Sequence, residues 1–381
     1  MVKARFAIAC PNYYPQTCGV GDQSLRLAVE LIRRGYQAEI FTKGPASPHP
    51  EAPDIPVHEA VGPTPMVVAE RIRRALMEGG FSHLILQYVP HMWGSTRFGS
   101  AATVWLALAA RRAGIDVTVI AHELYISLSR RPDLMLGSVL QQLQMVAVEG
   151  SAHRVLVTTE TRVKLMPFWR AAARAGRLGV IRIGPNALPM PRVPSKGRCR
   201  LGVFTTLALG KRLDVVLGAF ESVWRERPQS ELVLIGDLGT RDNPRTAALH
   251  EAIERHPARD RIRMTGKLQL TDVTKQIAEL DVYLFPMNTG ANTRSSTLPI
   301  ALGCGVPVVA VSGIETDADL FHDGDNVVFA RELTSAAFGE SALTILRDPA
   351  LAERLSVGAR RLYDRHLSWA VIGDALLAKL G

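Results

Sequence analysis

The sequence predicts an α/β protein built as two doubly wound domains in tandem. Three observations carry that expectation. Short β-branched runs alternate with longer amphipathic segments along most of the chain, the pattern of βαβ units around a parallel sheet. The alternation breaks once, at the proline-rich stretch GPNALPMPRVPSKGR from Gly184, and then restarts. Finally, 381 residues exceed the ~250–300 at which a single core stops growing.

In the first half, ARFAIAC, QAEIFTK, HLILQYV, DVTVIAH, RVLVTT and LGVIRIG read as buried strands. Between most of them, GDQSLRLAVELIRRG, PMVVAERIRRALMEGG, SAATVWLALAARRAG and LMLGSVLQQLQMVAVEG read as helices. Residues 44–65 are proline-rich and read as a surface loop. After the break, CRLGVFTT, SELVLIGD, IRMTGK, DVYLFP and PVVAV read as strands. Helices are expected from about Lys211, across Arg245 to His256, after TGK, and over the apolar positions Leu298, Ile300, Ala301 and Leu302. Ligands of such sheets bind beyond the carboxyl ends of the strands, so a cleft between the domains is the default site.

Composition narrows the class. Apolar residues make up 47% and charged residues 21%, as in ordinary globular proteins, and no apolar run is long enough to cross a bilayer. MVKARFAIAC is followed at once by Pro11 and Asn12, so it reads as a first strand and not as a signal peptide. The cysteines, Cys10, Cys18, Cys199 and Cys304, form no CxxC pair. A structural zinc is therefore not expected, and free thiols in a cytoplasmic protein are. The net charge of +9 fits an anionic ligand, an anionic membrane surface or solvated arginine-bearing faces. Nucleic acid is not expected, because no helix-turn-helix, zinc finger or ribonucleoprotein signature is present. The segments RIRRALMEGG and LALAARRAG offer peripheral contact with the inner face of a membrane, or are ordinary helices with a basic outer face.

Three loop groups carry chemistry. In PNYYPQTCGVGDQS, Gly19 and Gly21 allow close backbone approach and Asp22 can cap the following helix. A full GxGxxG is absent, so a dinucleotide site is not indicated. AHELY places His122 and Glu123 at a strand end. In the second half, Gly210, Lys211 and Arg212 lie at a strand-to-helix junction, where a lysine meets a phosphate with help from the helix dipole. Arg294, Ser295, Ser296 and Thr297 precede the apolar helix and can form an anion cradle, or a simple N-cap beside a solvated arginine.

The order of a glycine loop, HE, a lysine opening the second domain, TGKL, DVYLFP, LGCGVPVVAV and HDGDNVVF resembles the retaining GT-B glycosyltransferases of family 4. The resemblance spans the chain and is densest from Lys211 to Phe329. It implies two Rossmann-like domains, at 1–188 and 189–365, with a terminal helix at about 366–381 (RHLSWAVIGDALL) crossing back to the first. It implies transfer from a nucleotide-sugar donor with retention, without metal or other cofactor, to an acceptor that is a saccharide, a lipid-linked sugar or a small molecule. The diphosphate would lie between Lys211 and the helix start at Ser295, Ser296 and Thr297, with the base near Gly266, Lys267 and Leu268. His122 would meet the donor sugar near its anomeric end, and Gly19 and Gly21 would approach from the other side. Thr205 and Thr206 stand where the family's phosphate arginine is expected, and Arg212 or Arg294 would substitute. The family's paired glutamates fall on Asn292 and Ile300; the first can still bond a hydroxyl and the second cannot. That departure keeps two rivals in view: a relative that binds without turnover, and another GT-B enzyme such as a nucleotide-sugar epimerase.

Overall fold

The computed structural model describes residues 4–16, 18–90, 92–93, 101–124, 132–166, 168–193, 199–205, 211–243 and 246–380. The chain divides into two compact units, Met1–Ile183 with Ile372–Gly381, and Gly184–Val371.

The first unit contains β1 (Arg5–Cys10), α1 (Gly19–Arg33), β2 (Gln37–Thr42), β3 (Val57–Glu59), α2 (Pro65–Gly79), β4 (His83–Tyr88), α3 (Ala101–Arg112), β5 (Asp116–Ala121), α4 (Pro132–Ser151), β6 (Arg154–Val157), α5 (Glu160–Val163), α6 (Trp169–Arg174) and β7 (Leu178–Val180). Its parallel sheet runs β3-β2-β1-β4-β5-β6-β7. The central strands are near-continuous apolar runs because helices cover both faces; Phe6 through Cys10 are all buried. Register is tight, with Arg5 opposite Gln37 and Phe6 opposite His83. Helix boundaries follow local chemistry. In α2 the Thr64 side chain accepts from Val67 N at 3.3 Å, Pro65 occupies the first turn, and Gly80 ends the helix at φ 63°.

One expectation is corrected here. The stretch 44–65 is not all loop, since Val57–Glu59 add β3 to the sheet edge, Val57 pairing with Ile40. His58 stacks on Phe41 at 4.6 Å and reaches Glu39 at 2.6 Å. Three residues among prolines show no period, so only the neighbouring strand reveals them.

The second unit contains β8 (Arg200–Phe204), α7 (Leu213–Glu226), β9 (Glu231–Ile235), α8 (Ala247–Arg255), β10 (Ile262–Met264), α9 (Leu270–Ala278), β11 (Val282–Leu284), α10 (Thr297–Cys304), β12 (Val308–Val311), β13 (Val328–Ala330), α11 (Ser335–Arg347), α12 (Pro349–Leu362) and the start of α13 (Trp369–Leu380). Its parallel sheet runs β10-β9-β8-β11-β12-β13. Side chains alternate between two cores, as the period of a strand requires. Val233, Tyr283 and Val308 pack with α10, whereas Leu232, Val282 and Val309 pack with α7 and α11.

The proline-rich stretch after Gly184 packs on the second unit. Val193 N donates to Ala278 O at 2.8 Å, and a Cβ at Gly303 would lie 2.4 Å from Pro189. The division therefore falls before this stretch, ahead of the expected residue 188. At the other end, Asp374 pairs with Arg34 at 2.7 Å and Leu380 O accepts from Arg154 at 3.2 Å, both within the first unit. Among the described residues no helix is long and apolar enough to cross a membrane.

Candidate functional site

In each sheet the chain reverses its direction of winding beside the first strand, between β1 and β4 and between β8 and β11. Crevices open beyond the carboxyl ends of the strands at such switch points. The predicted residues fall into two groups, one in each unit.

In the second unit Lys211 is the centre. Its backbone bridges Met287, in the loop after β11. Its Nζ lies 2.8 Å from Phe204 O, the last residue of β8, and 3.4 Å from Thr297 Oγ1, the first residue of α10. Among the described residues it makes no ion pair. Desolvation brings its pKa down to about 7. Tyr283, whose hydroxyl donates to Phe204 O at 3.4 Å, is pushed up to about 12 by burial. The junction differs from expectation in one respect. Helix α7 begins only at Leu213, so Lys211 precedes it and is held by the strand-end loops. Gly210 and Thr206 lie outside the described residues.

The start of α10 is the second component. Ser295, Ser296 and Thr297 are partly exposed, whereas every residue from Leu298 to Cys304 is buried. Ser296 is the N-cap, yet its side chain makes no capping bond. Ser295 Oγ instead lies 2.7 Å from Thr297 Oγ1. Hydroxyls and helix N–H groups therefore meet the lysine at one place.

A residue the motif reading did not single out holds this loop. Asp317 Oδ2 accepts from Thr293 N at 2.8 Å and from Thr293 Oγ1 at 2.9 Å, with both residues buried. Gly290 adopts φ 97°, and a Cβ there would lie 2.2 Å from Thr316 Oγ1. Asn292 is buried and turned inward, its Nδ2 donating to Gly290 O at 3.0 Å and its Oδ1 accepting from Arg294 N at 3.2 Å. It acts as a turn former, as asparagine often does. Ile300 is 0% exposed, so nothing outside the core touches it.

Neither candidate arginine carries an open charge. Arg212 forks onto Asp214 at 2.8 Å on the exposed surface, and Arg294 pairs with Glu315. Gly266 stands at φ 67° and bridges Gly236, whose own N–H reaches Thr265 Oγ1 at 3.0 Å. A Cβ at Gly236 would lie 2.2 Å from Thr205 O, so the loops after β8, β9 and β10 meet tightly. Lys267 is exposed and Leu268 rests against the α10 core.

In the first unit, a Cβ at Gly21 would lie 2.6 Å from Asn12 O, which explains the glycine; Gly19 is open. Cys18 is the N-cap of α1, and Asp22, expected as the cap, sits within the first turn. His122 follows β5, its N–H donating to Tyr88 O at 3.0 Å. Its Nε2 lies 2.6 Å from Gln87 Oε1 and its carbonyl accepts from Arg162 at 2.8 Å. Desolvation, and then the Arg162 charge, lower its pKa to about 4, so the ring is neutral at pH 7. With Nε2–H donating to an oxygen that only accepts, Nδ1 keeps a lone pair for a hydroxyl. Glu123 is exposed, and the four cysteines are free thiols.

Residues 200–362 match the family model of glycosyl transferases group 1. A curated relative, the phosphatidylinositol N-acetylglucosaminyltransferase gpi3 subunit of Schizosaccharomyces pombe, is 26% identical over 147 residues, which cover 37% of this chain and 30% of that protein. Among solved structures, Anabaena HepE in complex with UDP and glucose superposes with a TM-score of 0.71 at 16% identity, over 99% of each chain. The pneumococcal O-GlcNAc transferase GtfA, in complex with UDP and GlcNAc, does so with a TM-score of 0.71 at 11% identity, again over 99% of each chain. The two Rossmann-like sheets are thus those of the GT-B fold.

Proposed function

We propose that this chain is a group 1 glycosyltransferase that uses a nucleotide-sugar donor, and that it transfers a hexosyl group with retention and without metal; the match to the family model and the GT-B fold support the reading. Its acceptor would be a saccharide, a lipid-linked sugar or a small molecule. The observation that carries the reading is Lys211, a desolvated lysine whose partners among the described residues are neutral, placed where strand-end loops and the start of α10 converge. A cation held that way lacks its counter-charge, and a diphosphate supplies one. As the sugar leaves, negative charge grows on the diphosphate, and Lys211 with the first-turn N–H groups of α10 stabilises it. Gly266, Lys267 and Leu268 would face the base. The Nδ1 lone pair of neutral His122 would accept from a hydroxyl of the sugar, with Gly19 and Gly21 allowing close approach. Because HepE and GtfA were crystallised with UDP, uridine nucleotides are the first probes.

A nucleoside diphosphate is expected to raise the melting temperature in the presence of a chelator. At a hundredfold excess over its dissociation constant, linkage gives about 2.7 kcal/mol. A shift that appears only when divalent cation is added would overturn the metal-free reading. Anomeric configuration of the product by NMR tests retention.

Thr297→Val keeps the shape of the helix start and removes the hydroxyl beside Lys211. It is expected to weaken diphosphate binding by about 0.5–1.5 kcal/mol, measured by calorimetry. An unchanged affinity there and in Ser296→Ala leaves the helix backbone as the cradle. A second reading, binding without turnover, is favoured by the buried Ile300 at the family's carboxylate position. Release of sugar from a labelled donor decides between the two.

A further inference from the structure

We infer that the second unit carries a binding site for a small phosphorylated molecule at the C-terminal end of α10, apart from the donor-site residues at the start of that helix. A hollow of about 580 Å³ opens there, within the size range of small-ligand pockets. Its wall comes from the segment after Gly184, from the end of α10 at Cys304 and Gly305, and from α12 with the turn that follows it. All of these residues belong to the second unit. At 1.5 Å per residue, Gly305 stands about 12 Å along the helix from Thr297, so a phosphoryl group held beside Lys211 does not reach it.

Charge identifies the ligand. Arg192, Arg360, Arg361 and Arg365 line the hollow against one carboxylate, Asp364. Asp364 holds Arg360 at 3.0 Å, while Asp281 and Asp325, outside the lining, hold Arg192 at 3.4 Å and Arg361 at 2.8 Å. Arg365 is exposed and makes no ion pair among the described residues. A guanidinium has five N–H donors, and Arg361 places one of them on Asp325, so donors remain for a second acceptor. Arg361 and Arg365 are also four positions apart, a spacing at which like charges on a helix repel. The chain passes through a wide π turn at Tyr363–Leu367, an irregularity that recurs at functional sites, and both arginines line the hollow. A dianion between them removes the repulsion. The opposing effect is the C-terminal dipole of α10, about half a negative charge. Its carbonyls are already covered: Gly303 O accepts from Arg360 at 2.8 Å and Gly305 O from Ser356 Oγ at 2.6 Å. Cys304 adds no charge, since burial pushes its thiol up to about 11. Phosphoryl oxygens match guanidinium forks in pairs, and the exposed Val357 gives the rest of the molecule an apolar contact.

The test is arginine footprinting of the whole protein. Phenylglyoxal modification is read residue by residue by peptide mass spectrometry, with and without glycerol 1-phosphate at constant ionic strength. Arg361 and Arg365 are expected to be protected, and Arg255, exposed on α8, is not. Protection should persist in Lys211→Met, which separates the fate of this site from that of the donor-site reading. Calorimetric titration in that background should give an affinity that Arg365→Gln lowers by about tenfold and Arg361→Gln/Arg365→Gln by about a hundredfold. Arg365→Gln breaks no ion pair among the described residues, so its melting should match that of the protein it is made in. Arg365→Lys keeps the charge without the fork and should restore binding in part. Absence of protection, equal protection by glycerol or by chloride, or equal affinity of the glutamine variants overturns the proposal. So does protection that heparin gives and glycerol 1-phosphate does not, which would make the cluster a surface for polyanions.

Discussion

Lys211→Met is expected to weaken nucleoside diphosphate binding by about tenfold to a hundredfold while leaving the melting temperature unchanged or higher. A charge-assisted hydrogen bond is worth about 1.5–3 kcal/mol, and methionine keeps the apolar stem without the charge. The stability half follows from the surroundings. Among the described residues the ammonium reaches Phe204 O and Thr297 Oγ1, and Phe204 O also accepts from Tyr283, so that carbonyl is not orphaned. Burial holds the folded pKa near 7, against about 10.4 in an unfolded chain. Between those values the unfolded chain binds the extra proton, so the ligand-free protein gains stability as pH rises through that window. Binding has the opposite sign. A bound diphosphate favours the charged amine, so above about pH 7 binding takes up a proton and affinity falls by up to about tenfold per pH unit. In the methionine variant that slope should vanish. Calorimetry in buffers of different ionisation enthalpy reads the proton uptake directly. Equal affinity of variant and wild type would reduce Lys211 to a lysine that ties two loops together.

This coupling marks the limit of what the sequence discloses. A lysine between a strand and a helix, and three hydroxyls ahead of an apolar helix, are local patterns, and local patterns were legible. So were the β-branched runs of both sheets, because burial on two faces leaves a continuous apolar record. What escaped reading was set by contacts distant in sequence. Val57–Glu59 become a strand only because β2 offers an edge. Asp317 lies in an aperiodic stretch and acquires its role by accepting two bonds from Thr293, 24 positions away. Gln87 gives no sign in sequence that it orients the ring of His122. Asn292 reads as a free amide, but the tight turn at Gly290 draws it inward. Arg294 illustrates the same point in charge, looking available until Glu315, 21 positions on, is seen beside it, whereas Arg212 is met by its near neighbour Asp214.

Ile300→Glu is expected to destabilise the protein by about 3–5 kcal/mol without tightening nucleotide binding. The resemblance to relatives places a ribose-gripping glutamate at this position, so restoring it would seem a gain. Packing decides otherwise. Ile300 is 0% exposed and clusters with Leu298, Leu302, Tyr283 and Phe285, in a helix buried from Leu298 to Cys304. Lys211 contacts α10 one turn earlier, at Thr297, and its ammonium is already held by Phe204 O. An uncompensated buried charge is worth about 3–5 kcal/mol, and protonation is the cheaper state, so the new group's pKa is raised. The sign follows. The unfolded glutamate ionises at about 4.3 while the folded one stays protonated, so the deficit widens as pH rises above that value. Thermal melts across pH 5–8 should show the gap growing in Ile300→Glu and staying flat in Ile300→Gln, which carries a similar volume without a charge. On the proposed reading the ribose would be left to neutral groups, the hydroxyls of Ser296 and Thr297 among them, and affinity would stay modest because each contributes about 0.5–1.5 kcal/mol. A variant that melts like wild type and binds a nucleoside diphosphate more tightly would mean that α10 presents position 300 to the ligand, and the hydroxyl account would fall with it.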